Sequence, residues 1–155
     1  MKVTQKQAKK VLAVASGGGH WIQLLRLRPA FTGSRCVFVS VDDSYRDKVA
    51  PNRFYTVAEG NRSTKAKLLM AALKLLYIIA RERPNVIVTT GAAHGYLAIR
   101  IGKLFGAKGL FIDSIANAQK LSLSGELSVA HSELFLTQWP DLSDDMDVHY
   151  RGSVI

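Results

Sequence analysis

The fold is decided by the stretch Val11-Leu-Ala-Val-Ala-Ser-Gly-Gly-Gly-His20. Its first five residues form a short apolar run rich in valine, which is typical of a buried strand. The glycines then break the strand, and apolar side chains at helical spacing run from Trp21 to Leu27, just before Pro29. This segment therefore predicts a strand, a glycine-rich loop and a helix in succession.

The same alternation of strands and helices continues along the chain. The sequence predicts further strands at 36–41, 53–57, 85–90, 109–113, 134–138 and 148–150, helices at 64–83, 96–105 and 124–132, and loops at 91–95 and 141–147. Residues 42–49 are polar and fit a turn, with or without a short helix. Several strands are continuous apolar runs, which is typical of strands buried on both faces. We therefore expect one α/β domain over 1–155, with a mostly parallel sheet, helices on both faces and a basic N-terminal segment over 1–10.

Positive charge is concentrated in the first half of the chain. The 21 Lys and Arg exceed the 12 Asp and Glu, for a net charge of +9, and residues 1–77 alone hold 14 of the former and 4 of the latter. Such a field favours an anionic partner, which could be nucleic acid, anionic lipid headgroups or a phosphorylated substrate, unless the protein is simply basic. Nucleic acid is disfavoured, because the sequence has no recognised binding motif and no interleaving of basic and aromatic residues.

Cysteine and histidine usage argues against disulfide and metal chemistry. Cys36 is the one cysteine of the sequence, so an internal disulfide framework and a multi-cysteine metal site are excluded, and a reducing compartment fits. No two histidines stand at metal-ligand spacing. His131 fits a structural position on a surface helix, and His149 fits one in the last strand. We expect neither a metal nor a cofactor.

The segment 66–80 is apolar almost all round. It is shorter than the roughly 20 residues that cross a bilayer, and Lys67 and Lys74 interrupt it. Two interpretations stay open, a helix buried against the sheet and a helix that lies partly in the membrane interface, with lysines near the headgroups.

The loop after the first strand is the first candidate site. Gly17, Gly18 and Gly19 let the backbone approach a ligand closely, and the following helix offers free N–H groups to a phosphate or a sugar, although a tight turn explains the same glycines. Their spacing matches neither a dinucleotide fingerprint nor a P-loop. His20 opens the helix, where the dipole favours the neutral imidazole that a general base for a sugar hydroxyl needs. The alternative is a histidine that only hydrogen-bonds the loop.

Further candidates follow later strands. The strand, loop and helix pattern of 11–28 recurs at 86–105, which makes Gly91 and His94 candidates for ligand contact at the carboxyl edge of the sheet. Small polar residues and one aromatic residue follow two more strands: Asp113, Ser114, Ser122, Ser124, Gly125 and Trp139. The serines could bind a ligand or cap a helix, and Trp139 could stack on a sugar or a partner surface or fill a core edge.

Three motifs carry a resemblance to a known family. Ser16-Gly-Gly-Gly-His20, Leu121-Ser-Leu-Ser-Gly125 and Leu136-Thr-Gln-Trp-Pro140, in this order, resemble the family of asparagine-linked glycosylation protein fourteen and its bacterial relatives, the PssD/CpsF-type polysaccharide glycosyltransferase subunits. The resemblance runs from about Val11 to the end of the chain. It implies a Rossmann-like fold equivalent to the N-terminal, acceptor-binding domain of a GT-B glycosyltransferase.

The resemblance also implies a split enzyme. A separate donor-binding subunit would supply the UDP-sugar, and the acceptor would be a saccharide on a polyprenyl diphosphate carrier at the cytoplasmic face of the membrane, with the chain bound peripherally to an anionic surface. Inverting displacement at the anomeric carbon would need no metal. Gly17, Gly18 and Gly19 would hold the acceptor diphosphate and His20 would be the base, unless the partner supplies it. The alternatives are a non-catalytic scaffold that recruits the transferase to the membrane, and a self-sufficient nucleotide-binding enzyme.

Overall fold

The computed structural model describes residues 8–61, 63–144 and 146–154, so most of the predicted basic segment over 1–10 lies outside the described residues. The strands are β1 (Lys10–Val14), β2 (Arg35–Ser40), β3 (Arg53–Thr56), β4 (Val86–Thr89), β5 (Lys108–Ile112), β6 (Leu134–Thr137) and β7 (Val148–Tyr150). The α-helices are α1 (Gly19–Arg26), α2 (Arg46–Val49), α3 (Lys65–Glu82), α4 (Ala92–Leu104) and α5 (Leu123–Val129). Single 3-10 turns span Arg28–Phe31, Asp43–Tyr45 and Pro140–Leu142.

These strands form one sheet in the order β3-β2-β1-β4-β5-β6-β7, and each neighbouring pair is parallel. The predicted α/β class with a mostly parallel sheet is confirmed. The chain runs outward from β1 to β3 and then returns to lay β4 against the free edge of β1. The carboxyl ends of β1 and β4 therefore border the crevice where open α/β sheets bind ligands.

Helices cover both faces of the sheet. Leu12 and Val14 of β1 pack in a cluster with the buried face of α3 and with residues of α4, whereas Val11 and Ala13 pack with α1. This division follows from the alternation of side chains along a strand. On the α1 face, the buried Trp21 ring stacks on Tyr45, with 4.8 Å between centroids.

Helix α4 begins at Ala92, four residues earlier than the sequence predicts. Two glycines, Gly91 and Gly95, made residues 91–95 look like a loop in the sequence. In the structure, only Gly91 of the two precedes the helix. Gly95 lies inside the helix, and its lack of a side chain makes room for Thr89, which a Cβ at position 95 would overlap. His94 is therefore in the first turn of α4, and the interpretation of this stretch as a loop is wrong.

Helix α5 ends at Val129, three residues before the predicted boundary. The Ser132 amide and hydroxyl both donate to the carbonyl oxygen of Ser128 at 2.9 Å, and the His131 amide donates to the same oxygen at 3.0 Å. Hydroxyl groups that bond to the backbone in this way compete with the continuing helix. His131 therefore lies in the turn after α5 and not on a surface helix, which corrects the prediction.

Helix α3 has two different apolar faces. Ala71, Leu75, Ile78 and Ile79 are buried against the sheet. The opposite side exposes five large apolar side chains: Leu69, Met70, Leu73, Leu76 and Tyr77. We call these five residues the outer face of α3. Among the described residues, no helix is both long enough and apolar enough to cross a bilayer.

The amino-terminal edge of the sheet contains a buried carboxylate. Glu82, at the end of α3, is 2% exposed and accepts hydrogen bonds from Tyr55 at 2.6 Å, Arg53 at 2.7 Å and Lys10 at 3.2 Å. Burial alone would raise the pKa of Glu82, but these three donors outweigh it and lower the pKa to about 2. This ion pair joins α3 to β1 and β3 at the edge away from the candidate site.

Candidate functional site

The loops after β1 and β4 are tied together by two hydrogen bonds. Nδ1 of His20 lies 2.7 Å from the carbonyl oxygen of Thr90, and the Thr90 hydroxyl donates to the carbonyl oxygen of His20 at 2.6 Å. A carbonyl oxygen only accepts, so Nδ1 carries the proton of this bond. In the neutral ring, Nε2 then has a free lone pair and can accept a proton.

Gly91 allows this close approach of the two loops. Its φ is 120°, a conformation that L side chains rarely adopt. A Cβ at this position would lie 2.9 Å from Cε1 of His20 and 3.0 Å from Nδ1. Gly91 therefore contributes to the site by making room for the imidazole.

The glycine loop is open at its outer side. Gly18 is the N-cap of α1 with φ 63°, and a Cβ at Gly18 or Gly19 would meet no heavy atom within 4 Å. Gly17 lies closer to the fold, because a Cβ there would be 3.5 Å from the Tyr45 hydroxyl oxygen. That oxygen also accepts a hydrogen bond from the Gly18 amide at 3.2 Å. The Gly18 amide is thus already paired within the fold, and the amides of the first turn of α1, from Gly19, are those that the helix leaves available to a ligand.

A polar pocket of about 640 Å³ adjoins the glycine loop and is lined by Ser16, Gly17, Gly18, Val41, Asp42, Asp43, Tyr45, Thr56 and Glu59. The Ser44 amide holds the pKa of Asp42 below its ordinary value, and the Arg46 guanidinium does the same for Asp43. These carboxylates are therefore ionised at neutral pH. Because a carboxylate accepts hydrogen bonds from hydroxyl groups, the pocket suits the hydroxyls of a sugar.

A second, apolar cavity lies on the other side of Ser16, in the layer of α3, α4 and α5. Its volume is about 530 Å³, and it is lined by Ser16, Glu59, Gly60, Asn61, Leu68, Ala92, Ala93, His94, Tyr96, Leu97, Leu123, Ser124 and Leu127. We call it the apolar groove. Ser16 and Glu59 line both cavities, so the two meet at the end of β1.

His94 is buried in the wall of the apolar groove. It is 2% exposed, and its Nε2 lies 2.9 Å from the carbonyl oxygen of Ala58. Its Nδ1 is buried, and no residue in the described part of the chain forms a hydrogen bond with it. His94, a predicted contact residue, thus lines the apolar groove, whereas the His20 ring lies beside Gly91 and Thr90 at the start of the same loop and helix.

The predicted residues after β5 form a separate, folded cluster. The buried Asp113 carboxylate accepts hydrogen bonds from the Ser114 amide at 2.9 Å, the Asn117 side chain at 3.0 Å and the Ser122 amide at 2.8 Å. Ser114 in turn accepts from the Ala116 amide at 3.2 Å. The carboxylate of Asp113 is therefore engaged in holding the loop that leads to α5.

Ser122 of the second motif caps α5, and Ser124 lies in its first turn. The Ser122 hydroxyl accepts the Gly125 amide at 2.9 Å, which is a helix N-cap, and it lies 3.3 Å from the Ser124 hydroxyl. Gly125 packs closely, since a Cβ there would be 3.1 Å from a carboxylate oxygen of Asp113. Of these three residues, only Ser124 also lines the apolar groove.

Trp139 also forms a hydrogen bond with the loop between β5 and α5. Its indole N–H donates to the carbonyl oxygen of Ile115 at 2.8 Å, and the side chain is half-buried. The neighbouring Gln138 donates to the Asp113 carbonyl oxygen at 2.9 Å. Of the two alternatives for Trp139, this geometry favours the one that fills an edge of the core.

The remaining histidines lie away from the crevice. His131 lies 2.7 Å from the Arg100 guanidinium, and partial burial together with the charges of Arg100 and Lys103 lowers its pKa. His149 lies in β7, as predicted. Among the described residues, no group of three or more His, Cys, Asp or Glu side chains has a metal-binding arrangement.

Sequence reasoning missed two residues of the site. Thr90 orients His20, and Tyr45 contacts the glycine loop. Thr90 directly follows β4 at the carboxyl edge, and that position could have marked it. Tyr45 lies in a polar turn after β2, where nothing in the sequence pattern signals a contact with Gly18.

Comparisons with known proteins give a family and a set of structural neighbours. The family model described as "Oligosaccharide biosynthesis protein Alg14 like" matches residues 51–154. The human UDP-N-acetylglucosamine transferase subunit ALG14 is 24% identical over 176 residues, covering 93% of this chain and 82% of that protein. The Schizosaccharomyces pombe subunit of the same name is 37% identical over 82 residues, covering 48% of this chain and 38% of that protein.

Solved structures share the fold. MurG of Acinetobacter baumannii superposes with a TM-score of 0.74 at 15% identity, covering 94% of this chain and 46% of that one. The UDP-N-acetylglucosamine 2-epimerase of Rickettsia bellii gives a TM-score of 0.71 at 14% identity, covering 94% and 45%. The chain thus spans about half the length of the solved structures it matches. These likenesses confirm the predicted Rossmann-like fold of a GT-B N-terminal domain.

Proposed function

The chain belongs to the Alg14 family, and from that membership we propose that it is the acceptor-binding subunit of a two-chain glycosyltransferase. A separate donor-binding subunit holds a UDP-sugar, and the acceptor is a saccharide on a polyprenyl diphosphate in polysaccharide biosynthesis. The relatives named UDP-N-acetylglucosamine transferase subunits support both a partner and that donor. We propose further that it is a bacterial PssD/CpsF-type member, a group that the same three motifs resemble.

One observation carries the proposal. Two helix N-termini, those of α1 and α4, meet with His20 at the crevice between β1 and β4. Free amides and the positive end of a helix dipole favour a phosphate group. We assign the acceptor diphosphate to Gly17, Gly18 and Gly19, with Gly91 and the first turn of α4 on its other side.

His20 is our candidate for the base. The acceptor hydroxyl oxygen forms a bond to the anomeric carbon of the donor sugar while the bond from that carbon to the diphosphate oxygen breaks, so UDP leaves and the configuration inverts. The hydroxyl proton passes to Nε2 of His20, whose ring is oriented by the bond from Nδ1 to Thr90. The polar pocket beside the glycine loop would hold the acceptor sugar.

The cluster after β5 has a different role in this proposal. Ser124 lies in the wall of the groove and remains a candidate contact. Asp113 and Ser122 position the loop and helix that carry it, and Ser114, Gly125 and Trp139 belong to the same hydrogen-bonded or packed unit. We propose that these residues shape the site and do not touch the reacting atoms.

We propose that residues 1–155 form one domain that binds peripherally to the cytoplasmic face of the membrane. The outer face of α3 supplies apolar contact, and Lys65, Lys67 and Lys74 on the same helix are exposed. Each such lysine near an anionic surface contributes about 1 kcal/mol. A cytoplasmic location agrees with a single, half-buried and unpaired Cys36.

The test is reconstitution of the complex. The purified chain, its donor-binding partner, radiolabelled UDP-N-acetylglucosamine and a polyprenyl-diphosphate-linked acceptor are combined, and lipid-linked product is measured. We expect product from the mixture and almost none from either chain alone. Full activity of the lone chain would contradict a divided site. Unchanged activity of complexes carrying His20→Ala and Gly18→Val would instead support a scaffold without chemistry.

A further inference from the structure

We propose that the apolar groove receives the first isoprene units of the lipid-linked acceptor, next to its diphosphate. The inference rests on the proposed function, since it concerns the same acceptor. It adds a binding site for the lipid itself, so the chain would recognise the carrier as well as the saccharide.

The shape and lining of the groove fit a branched hydrocarbon. Its volume of about 530 Å³ lies within the usual range for ligand pockets, roughly 300–1,000 Å³. Leu68 of α3, Leu97 of α4 and Leu127 of α5 contribute apolar walls on three sides. Burial of hydrocarbon against such walls is favourable in proportion to the area removed from water.

The inner end of the groove meets the proposed diphosphate site. Ser16, which precedes the glycine loop, lines both the groove and the polar pocket. Ala92 and Ala93 line the groove and form the first turn of α4, where backbone amides are free. If the diphosphate lies between the two helix N-termini, the lipid chain that is esterified to it would therefore enter the apolar groove.

The outer end of the groove reaches exposed apolar surface. Leu123 and Leu127 line the groove and are 40% and 47% exposed. On the opposite wall, Leu68 is followed by Leu69 and Met70, which belong to the outer face of α3 and are each 61% exposed. A chain that leaves the groove here would pass directly to the surface that we propose contacts the bilayer.

A second, independent observation points to a ligand in this groove. Nδ1 of His94 is buried and has no hydrogen-bond partner among the described residues, although His94 lines the cavity. Buried polar atoms are normally hydrogen-bonded, so an unpartnered one marks the place of a polar ligand group. Because Nε2 donates to the carbonyl oxygen of Ala58, Nδ1 of the neutral ring keeps its lone pair and can accept a hydrogen bond from a hydroxyl group of the bound acceptor.

The experiment compares farnesyl diphosphate with inorganic diphosphate as probes of the full-length chain. Titration calorimetry in detergent-free buffer measures both affinities. We expect farnesyl diphosphate to bind at least about tenfold more tightly, a difference of about 1.4 kcal/mol. The variant Leu127→Glu should remove about tenfold of the farnesyl affinity and leave inorganic diphosphate unchanged.

The control variant is Leu104→Glu. Leu104 is 81% exposed on α4 and lies outside the groove, so the substitution introduces the same charge on the same layer of helices. It should leave both affinities unchanged, and thermal melting checks that both variants are folded. An equal loss in the two variants, or equal wild-type affinity for the two probes, would overturn the proposal.

The groove and the proposed function fail in different ways. Should farnesyl diphosphate bind as expected while the reconstituted complex transfers sugar to no lipid-linked acceptor, the transferase function is wrong and the groove stands. Should the complex transfer sugar while Leu127→Glu leaves its KM for the lipid-linked acceptor unchanged, the groove proposal is wrong and the transferase function stands.

Discussion

Nδ1 of His20 lies 2.7 Å from the carbonyl oxygen of Thr90, which fixes both the orientation of the imidazole and the nitrogen that carries its proton. The two residues are 70 positions apart in the sequence and follow neighbouring strands of the sheet. The proposed base at the start of α1 therefore depends on the loop after β4.

The variant His20→Asn separates the orientation of this residue from its basicity. The asparagine amide can still donate to Thr90, but it has no nitrogen that accepts a proton. We expect transfer by the complex to fall about 10²–10⁴-fold, the usual contribution of a general base, with an unchanged melting temperature. His149→Asn, in β7, is the matched control and should retain activity. Near-wild-type transfer by His20→Asn would assign the base to another group.

Gly91→Ala should destabilise the fold more than other glycine substitutions at positive φ. The new Cβ would lie 2.9 Å from His20 in addition to the strain at φ 120°, so we expect a loss of about 3 kcal/mol in the free energy of unfolding. Gly106 has φ 76° and open space around it, and Gly106→Ala should cost about 1 kcal/mol. Urea denaturation measures both. Equal losses would show that the contact with His20 is unimportant.

Glu82 should make stability depend on acid pH. Its pKa is about 2 in the folded chain against an ordinary 4.5, so its stabilising effect is complete above pH 4.5 and is lost as the pH falls toward 2. We expect about 2–3 kcal/mol to disappear across this interval in denaturation experiments. Glu82→Gln should flatten this part of the profile, whereas the exposed Glu126→Gln should leave it in place. A profile unchanged by Glu82→Gln would refute the role of this carboxylate.

The outer face of α3 should govern binding to membranes. We expect Leu73→Glu to weaken sedimentation with anionic vesicles strongly, because it puts a charge where apolar contact is proposed. Ile22→Glu is the control, since Ile22 is 52% exposed on α1, on the opposite side of the sheet. Binding should also weaken as salt rises, because exposed lysines are screened. Vesicle binding that resists salt would point to insertion of the helix.

Asp113→Asn should loosen the loop between β5 and α5. The carboxylate accepts three hydrogen bonds, and an amide would turn one of its two oxygens into a donor facing an N–H group. We expect a loss of about 1–3 kcal/mol and faster proteolysis within 114–122. The exposed Asp141→Asn should change neither quantity. Wild-type protease resistance of Asp113→Asn would mean that other contacts hold the loop.

The sheet was predictable because its central strands β1, β2 and β4 are buried on both faces. The short apolar runs at 11–15 and 36–41 are typical of buried strands. The bounds of β1 and β2 differ from the predicted bounds by a single residue at each end. The end of α1 before Pro29 was equally clear. The start of α4 was not predictable, because the glycine at position 95 indicates a loop by composition, whereas in the fold it makes room for the Thr89 side chain against the helix.

The candidate site was predictable in position but not in the roles of its residues. Small polar residues after parallel strands mark the carboxyl edge whatever they bind. Whether such a residue faces a ligand or folds its own loop depends on tertiary contacts. The sequence therefore predicted Asp113 and Trp139 as contact residues. In the structure, their polar atoms form hydrogen bonds with the loop that follows β5. The contact of Tyr45 with Gly18 is likewise formed only by folding.

The central position of β1 has a consequence for biosynthesis. Its neighbour β2 follows within about one helix and turn, but Asn85, which accepts a hydrogen bond from the Lys10 amide, comes 75 residues later. On the ribosome, β1, β2 and β3 can associate while the other edge of β1 is still bare. This unpaired, valine-rich edge can pair with other chains and aggregate until β4 has been synthesised. We therefore expect slow or interrupted translation between residues 57 and 85 to carry the greatest risk of aggregation.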